Sequence, residues 1–124
     1  MIYVDDGVIN LTRGDDATIT VPLKQSDGTE YTLDVNEYLI FALREQPDSS
    51  SELLLEIRSN NGENIINISH SDTNELKTGF YSAEIQMMAN GGKRITVWPK
   101  LTGQSRTSKS NRKNFCLMTE VVYE

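Results

Sequence analysis

The chain has 124 residues, of which 37% are hydrophobic, enough for one domain with a single core. Its net charge of −6 conceals an asymmetry, because residues 1–90 hold 16 acidic and 5 basic side chains while residues 91–124 hold 2 and 7. No apolar run approaches the ~18 residues of a membrane-spanning helix, and the start lacks a secretory signal. We therefore expect one domain, residues 1–124, made in the cytoplasm and without a membrane partner.

The first clear strand pattern lies in the sequence DATITVPL. Ala17, Ile19, Val21 and Leu23 alternate with polar residues, which is typical of a half-buried strand. Pro22 places the end of this strand at an edge or a bulge, because proline cannot donate a hydrogen bond to a neighbouring strand.

Turn signals lie on both sides of this strand. The tripeptide Arg13-Gly14-Asp15 occurs as an adhesion signal in some extracellular proteins, but glycine and aspartate at a strand boundary are explained by a turn alone. We predict the turn. Asp27-Gly28 predicts a hairpin turn, followed by a short strand at Tyr31–Leu33.

Further strands follow at a spacing of about ten residues, which favours an antiparallel sheet. The apolar run at 38–43 suits a central strand, although its length does not exclude a short helix. Pro47 breaks the chain, and LLLEIR and IINIS follow on either side of a turn. One helical turn is the most that we expect near the sequence SDTNELK.

Alternation returns in the sequence FYSAEIQMM, where Tyr81, Ala83, Ile85 and Met87 share one face. If Ile95 and Val97 of the next strand also point inward, strict alternation places Trp98 on the outer face. An exposed tryptophan suits an interface or a sugar platform, and cover by a second layer or a loop is the equal alternative.

A polar, basic loop is expected at about residues 103–114, before the last strand pattern, FCLMTEVVY. A basic tract can bind nucleic acid, but this one has no aromatic residues between its charges, and the acidic remainder would repel phosphates. The composition therefore disfavours nucleic acid and favours a solvated loop or an acidic protein surface.

These patterns predict an all-β fold, an antiparallel β-sandwich of about seven or eight strands rather than a closed barrel. Tyr81 precedes a core position by two residues, as does the corner tyrosine of immunoglobulin-like sandwiches, and Asp72 precedes that corner. Ala83 stands where such domains often have cysteine, and Phe41 lies near the position of their strand-C aromatic residue. We therefore expect an immunoglobulin-like sandwich with Tyr81 as its structural corner.

Candidates for chemistry are few. His70 lies beside serine and aspartate, but neighbouring residues on a strand point to opposite faces and do not form a preformed triad. Cys116 lies in an apolar run and is interpreted as a small core residue rather than a reactive thiol. The pairs Asp5-Asp6 and Asp15-Asp16 are interpreted as turn acids rather than calcium ligands. We predict no catalytic residue, no cofactor and no metal site.

The whole chain resembles a group of small prophage proteins of Gram-positive bacteria, related in pattern to the N-terminal domain of siphophage baseplate upper proteins. The stretches that carry the resemblance include LTRGDDATITVPL, EYLIFALRE, LLLEI, TGFYSAEIQ and the block from KRITVWPKL to the final strand. Gly14-Asp15 matches an early Gly-Asp that precedes a strand, and Gly79-Phe80-Tyr81 matches a later Gly-x-Tyr.

The resemblance implies an immunoglobulin-like module without catalysis that binds other phage tail or baseplate proteins and is located in the virion tail. It transfers no catalytic or ligand residue. A homo-oligomer is also compatible with it, and the alternative is a carbohydrate-binding or adhesion module that uses the face near Trp98. The candidate interface comprises Trp98, Lys100, Arg106, Lys109, Arg112 and Lys113.

Overall fold

The computed structural model describes residues 2–5, 8–45, 52–98 and 115–118 of the chain. This part is mostly β, which confirms the expected fold class at that level. A single helical turn, α1 (His70–Thr73), and a 3-10 turn at Asn90–Gly92 interrupt the strands. The strands are β1 Ile2–Asp5, β2 Val8–Thr12, β3 Ala17–Thr20, β4 Tyr38–Arg44, β5 Leu53–Arg58, β6 Ile65–Ile68, β7 Gly79–Met88, β8 Arg94–Trp98 and β9 Phe115–Met118.

Seven of these strands form one sheet, ordered β1-β2-β9-β7-β4-β5, with β8 also paired to β7. Strand β7 is central: β4 pairs along one side, while β9 pairs with its first residues and β8 with its last on the other. The expectation of a wholly antiparallel arrangement is wrong, because β2 and β9 run parallel. They are far apart in the chain, so no tight turn forces them to be antiparallel.

Strands β3 and β6 form a second, two-stranded antiparallel sheet, in which Ala17 lies opposite Ile68 and Thr20 opposite Ile65. Strand β3 was predicted from alternation, and β6 from the spacing of the run IINIS after a turn. Asn64 extends this pairing, since its Nδ2 donates to the Val21 carbonyl at 2.8 Å.

Buried residues of both sheets belong to one hydrophobic cluster, so the two sheets share a core. The rings of Phe41 and Phe115 lie 5.9 Å apart at an angle of 59°, a tilted arrangement that aromatic pairs favour. Alternation explains which strand residues are buried, because every second residue of a strand points to the same face. The buried apolar residues of the strands are Ile9, Leu11, Ala17, Leu39, Phe41, Leu43, Ile66, Ile68, Tyr81, Ala83, Ile85, Met87, Phe115 and Leu117.

The segment between β3 and β4 departs in part from expectation. The turn at Asp27-Gly28 is present: Gly28 has a φ of 89°, and Asp27 Oδ1 accepts from the Thr29 amide at 3.0 Å. A single bridge between Lys24 and Glu30 closes it. The predicted strand at 31–33 is wrong, since this stretch forms no strand: Tyr31 donates its amide to the Leu23 carbonyl at 2.9 Å, and Leu33 is buried in the core.

One end of the fold is held by a buried carboxylate, that of Glu37, which is 2% exposed. Its Oε1 accepts from the Tyr31 hydroxyl at 2.5 Å and from the Asp34 amide at 3.0 Å, and its Oε2 accepts from the Asn90 amide at 3.0 Å. The Glu37 carbonyl also accepts from the Gly62 amide at 2.7 Å. This one residue therefore ties together the loops before β4, before β6 and after β7.

These hydrogen bonds favour the charged form of Glu37. The bond from Tyr31, followed by those from the amides of Asp34 and Asn90, holds the pKa of Glu37 below its ordinary value. The same bond, with burial and the negative charge of Glu37, raises the pKa of Tyr31 to about 12.

Replacing the Glu37 side chain should loosen the loops before β4 and after β7, while the backbone bond from Gly62 to the Glu37 carbonyl is kept. We expect Glu37→Ala to lower the free energy of unfolding by about 2–4 kcal/mol, because three donors lose a charged acceptor in a buried setting. Chemical denaturation measures this directly. Glu30→Ala, which removes an exposed carboxylate from the same loop, is the matched control and should change stability by less than about 0.5 kcal/mol.

The pH dependence of the same proteins separates the carboxylate from general packing. Because the pKa of Glu37 is lowered on folding, its contribution is complete above the ordinary value and is lost as the pH falls through the folded-state pKa. Because the pKa of Tyr31 is raised, its contribution is lost as the pH rises from about 10 through about 12. Equal acid and alkaline slopes in wild type and Glu37→Ala would contradict this assignment.

Candidate interaction surface

The seven-stranded sheet has a second face, opposite the core, which we call the outer face. It carries the alternate residues of β4, of which Tyr38, Ile40 and Ala42 are half-buried. Phe80 of β7 also lies on this face and is 58% exposed. Apolar groups of the sheet therefore reach solvent on this face, and exposed apolar groups are common at protein-binding surfaces.

Polar contacts organise the rest of the outer face. The guanidinium of Arg58 lies 3.6 Å from the centroid of the Tyr38 ring, and its Nη2 donates to Asn61 Oδ1 at 2.7 Å. On β7, which pairs with β4, Gln86 Nε2 donates to Glu84 Oε1 at 2.6 Å. Charged, amide and aromatic groups that lie side by side are common at protein-binding surfaces, where they form hydrogen bonds and cation–π contacts with a partner.

Trp98 does not lie where strict alternation places it. Trp98 faces Ile85, whereas Thr96 faces Gln86, so Val97 is an extra residue, a β-bulge in β8. The bulge turns Trp98 to the core side, where it is half-buried against the core cluster, and the expected outward position is wrong. Ile95, expected inward, is 42% exposed.

The basic members of the candidate interface lie outside the described residues, as does the predicted loop at 103–114. These members are Lys100, Arg106, Lys109, Arg112 and Lys113. Their role as an interface stays a prediction.

Tyr81 begins the buried face of β7. Its hydroxyl donates a hydrogen bond to the Lys77 carbonyl, and burial raises the pKa of Tyr81. A bond from a tyrosine hydroxyl to the backbone a few residues upstream is one feature of the tyrosine corner of immunoglobulin-like domains. The bond fixes the path by which the chain leaves α1 and enters β7.

The Arg13-Gly14-Asp15 tripeptide forms a turn fastened to α1. Gly14 has a φ of 85°, a conformation that favours glycine, and its amide donates to Thr73 Oγ1 at 2.9 Å. Arg13 Nη1 donates to the Leu76 carbonyl at 3.4 Å. The tripeptide is therefore packed against a neighbouring turn, as the turn interpretation requires.

His70 belongs to the same corner. Asp16 Oδ1 accepts from the His70 amide at 2.7 Å and lies 3.2 Å from its Nδ1, and these bonds hold the pKa of Asp16 below its ordinary value. Asp72 Oδ2 accepts from the Ser69 amide at 2.7 Å, which completes a capping box. These groups therefore cap a helical turn, with His70 and Asp16 both mainly exposed.

Cys116 is half-buried on the outer-face side of β9, between Asn10 and Phe80 on the adjacent strands. Burial raises the pKa of its thiol, so the thiolate that reacts with electrophiles is disfavoured at neutral pH. Among the residues that the structure describes, no group of three or more His, Cys, Asp or Glu side chains is placed to hold a metal ion.

Sequence reasoning missed Glu37, although a signal existed. Glu37 has the same parity as Leu39, Phe41 and Leu43, so alternation extended by one step places its side chain on the buried face. Sequence reasoning also did not identify the outer face as an interaction surface, because the apolar residues on that face are interpreted as core residues by default.

Comparison with known proteins identifies no relative: no protein family model matches the chain, and no curated protein matches it. In the described ranges, no helix has the length and apolar character needed to cross a bilayer.

The bond from Tyr81 to Lys77 can be tested by removing one oxygen atom. We expect Tyr81→Phe to lower the free energy of unfolding by about 1 kcal/mol, because the Lys77 carbonyl loses a donor next to the core. Tyr38→Phe is the matched control: it removes the same atom on the outer face, keeps the ring under Arg58, and should be nearly neutral. Equal losses in the two variants would contradict the corner assignment.

Proposed function

We propose that this chain is a non-enzymatic structural module of a phage tail or baseplate that binds other virion proteins. The resemblance of LTRGDDATITVPL, TGFYSAEIQ and the final block to baseplate upper proteins supports the phage setting. The observation that carries the binding role is the outer face, where Phe80, Ile40 and Tyr38 reach solvent beside charged residues.

We also propose that the two sheets form an immunoglobulin-like sandwich. The strand order supports this, because β3 and β6 pair in one sheet while β4, β5, β7 and β9 lie in the other, as strands B and E and strands C, C′, F and G do in such domains. The corner bond of Tyr81 adds support. Ala83 in place of cysteine is a departure, as is a second sheet of two strands in the described part.

The placement of polar side chains favours a binding role over catalysis. The Glu37 side chain holds two loops, Thr73 holds the turn at Gly14, and Asp16 caps α1 at His70. Each of these three side chains accepts a hydrogen bond from a backbone amide, which supports a structural role for it.

The charge distribution adds a second binding element. The basic residues Lys100, Arg106, Lys109, Arg112 and Lys113 lie in a chain whose first 90 residues are strongly acidic. Opposite charges on a neighbouring protein would steer association and fix its register. We therefore propose that an acidic surface of another tail protein contacts this segment.

The test uses the purified chain and the proteins encoded beside its gene. We expect one of them to co-purify with it, with an affinity that falls as salt rises, because surface charges are screened. Reversing Lys109, Arg112 and Lys113 to glutamate should weaken the complex about tenfold or more. Glu75→Lys, at an exposed site, is the control for a general charge effect.

Failure to bind any of these neighbours would contradict the assembly role. Binding to a glycan array that Trp98→Ala abolishes would instead establish the carbohydrate-binding alternative. The half-buried position of Trp98 against the core makes this alternative the weaker one.

A further inference from the structure

Strand β5 ends the seven-stranded sheet. It pairs with β4, and within the described residues no strand pairs with its other side. Such an edge presents backbone donors and acceptors to another strand. Its apolar side chains are incompletely covered: Leu54, Leu55 and Ile57 are half-buried, and Leu53 is 41% exposed.

The pairing with β4 determines which backbone groups face outward. Ser59 donates its amide to the Leu39 carbonyl at 2.9 Å, and Ile40 lies opposite Arg58. Hydrogen-bonded and non-hydrogen-bonded pairs alternate in an antiparallel sheet, so Ile57 bonds toward β4. The amides and carbonyls of Glu56 and Arg58 therefore point to the open edge.

We propose that this edge pairs with the same edge of a second copy, antiparallel, about a twofold axis at Ile57. In this register Glu56 of each copy lies opposite Arg58 of the other. All four of these residues present backbone groups to the new seam, which gives about four hydrogen bonds. Ile57 meets its own equivalent on the core side of the sheet.

Charge selects this register over its neighbours. A twofold axis at Glu56 places two glutamates opposite each other, and an axis at Arg58 places two arginines opposite each other; both arrangements are destabilising. A twofold axis between two residues places a residue whose backbone groups face the open edge opposite one whose backbone groups face β4, so the two cannot form hydrogen bonds with each other. Of these axes, the one at Ile57 satisfies both the backbone pairing and the charges.

The side chains of Glu56 and Arg58 lie where they can form these pairs between the two copies. Glu56 and Arg58 are both exposed on the outer face, opposite Ala42 and Ile40 of β4. The Arg58 guanidinium has five N–H donors. Within the described residues its side chain makes one hydrogen bond, from Nη2 to Asn61, which leaves donors for a carboxylate of the second copy. The paired copies would form one continuous sheet with a continuous outer face.

The experiment measures self-association of the purified chain by sedimentation velocity over a range of concentrations. We expect a reversible dimer that Glu56→Arg weakens about tenfold or more, as does Arg58→Glu, because each creates two like-charge pairs. The double variant Glu56→Arg/Arg58→Glu should restore dimerisation. Glu75→Arg, which makes the same charge change at a remote exposed site, should have no effect.

Cross-linking tests the register independently. In a Cys116→Ser background, Ile57→Cys should form an intermolecular disulfide, because opposed residues of a non-hydrogen-bonded pair lie about 4.5 Å apart at Cα. Leu55→Cys should not, because the two copies of Leu55 would lie about 14 Å apart along the strand. Both positions are half-buried, so they are matched in exposure.

A protein that stays monomeric up to about 1 mM overturns the proposal, as does a dimer that the charge reversals leave unchanged. Cross-linking of Leu55→Cys in preference to Ile57→Cys overturns the register. The inference goes beyond the proposed function and uses the chain alone, so its failure would leave the binding of other tail proteins to be judged by its own test.

Discussion

Strand β7 constrains the positions of the other strands, because it forms hydrogen bonds with strands along both of its sides while one of its faces is buried in the core. Its first residues pair with β9, its last residues pair with β8, and β4 covers its other side. Tyr81, Ala83, Ile85 and Met87 then all point into the core shared with the second sheet. The positions of β2 and β5 follow, since they pair with β9 and β4.

Much of this arrangement could be predicted from the alternation of apolar and polar residues, which is a local property of the sequence. The buried face of β7 follows from alternation, and the turn at Asp27-Gly28 follows from an equally local signal, the Asp-Gly pair. The parallel pairing of β2 with β9 could not be predicted, because it depends on partners far apart in sequence. The position of Trp98 depends on one extra residue, Val97, whose bulge is defined only against β7. Glu37 could have been found by extending the parity of β4.

The polar residues that the fold brings together serve the loops. Glu37 joins three of them at one end of the sheets, and Asp16, Thr73 and Tyr81 fasten the turns around α1. These contacts fix the loops at the ends of the strands, and within the described residues the sheet presents its outer face and the unpaired edge of β5. In the proposed structural role, those two surfaces are the ones that neighbouring proteins would contact.

The central claim is that β4 and β7 form the stable centre of one core shared by both sheets. Native-state hydrogen exchange, followed amide by amide, tests it most directly. The account predicts that amides of β4 and β7 exchange only by global unfolding, while those of the turn at Asp27-Gly28 exchange by local opening. Exchange of β7 amides as fast as those of that turn would contradict it.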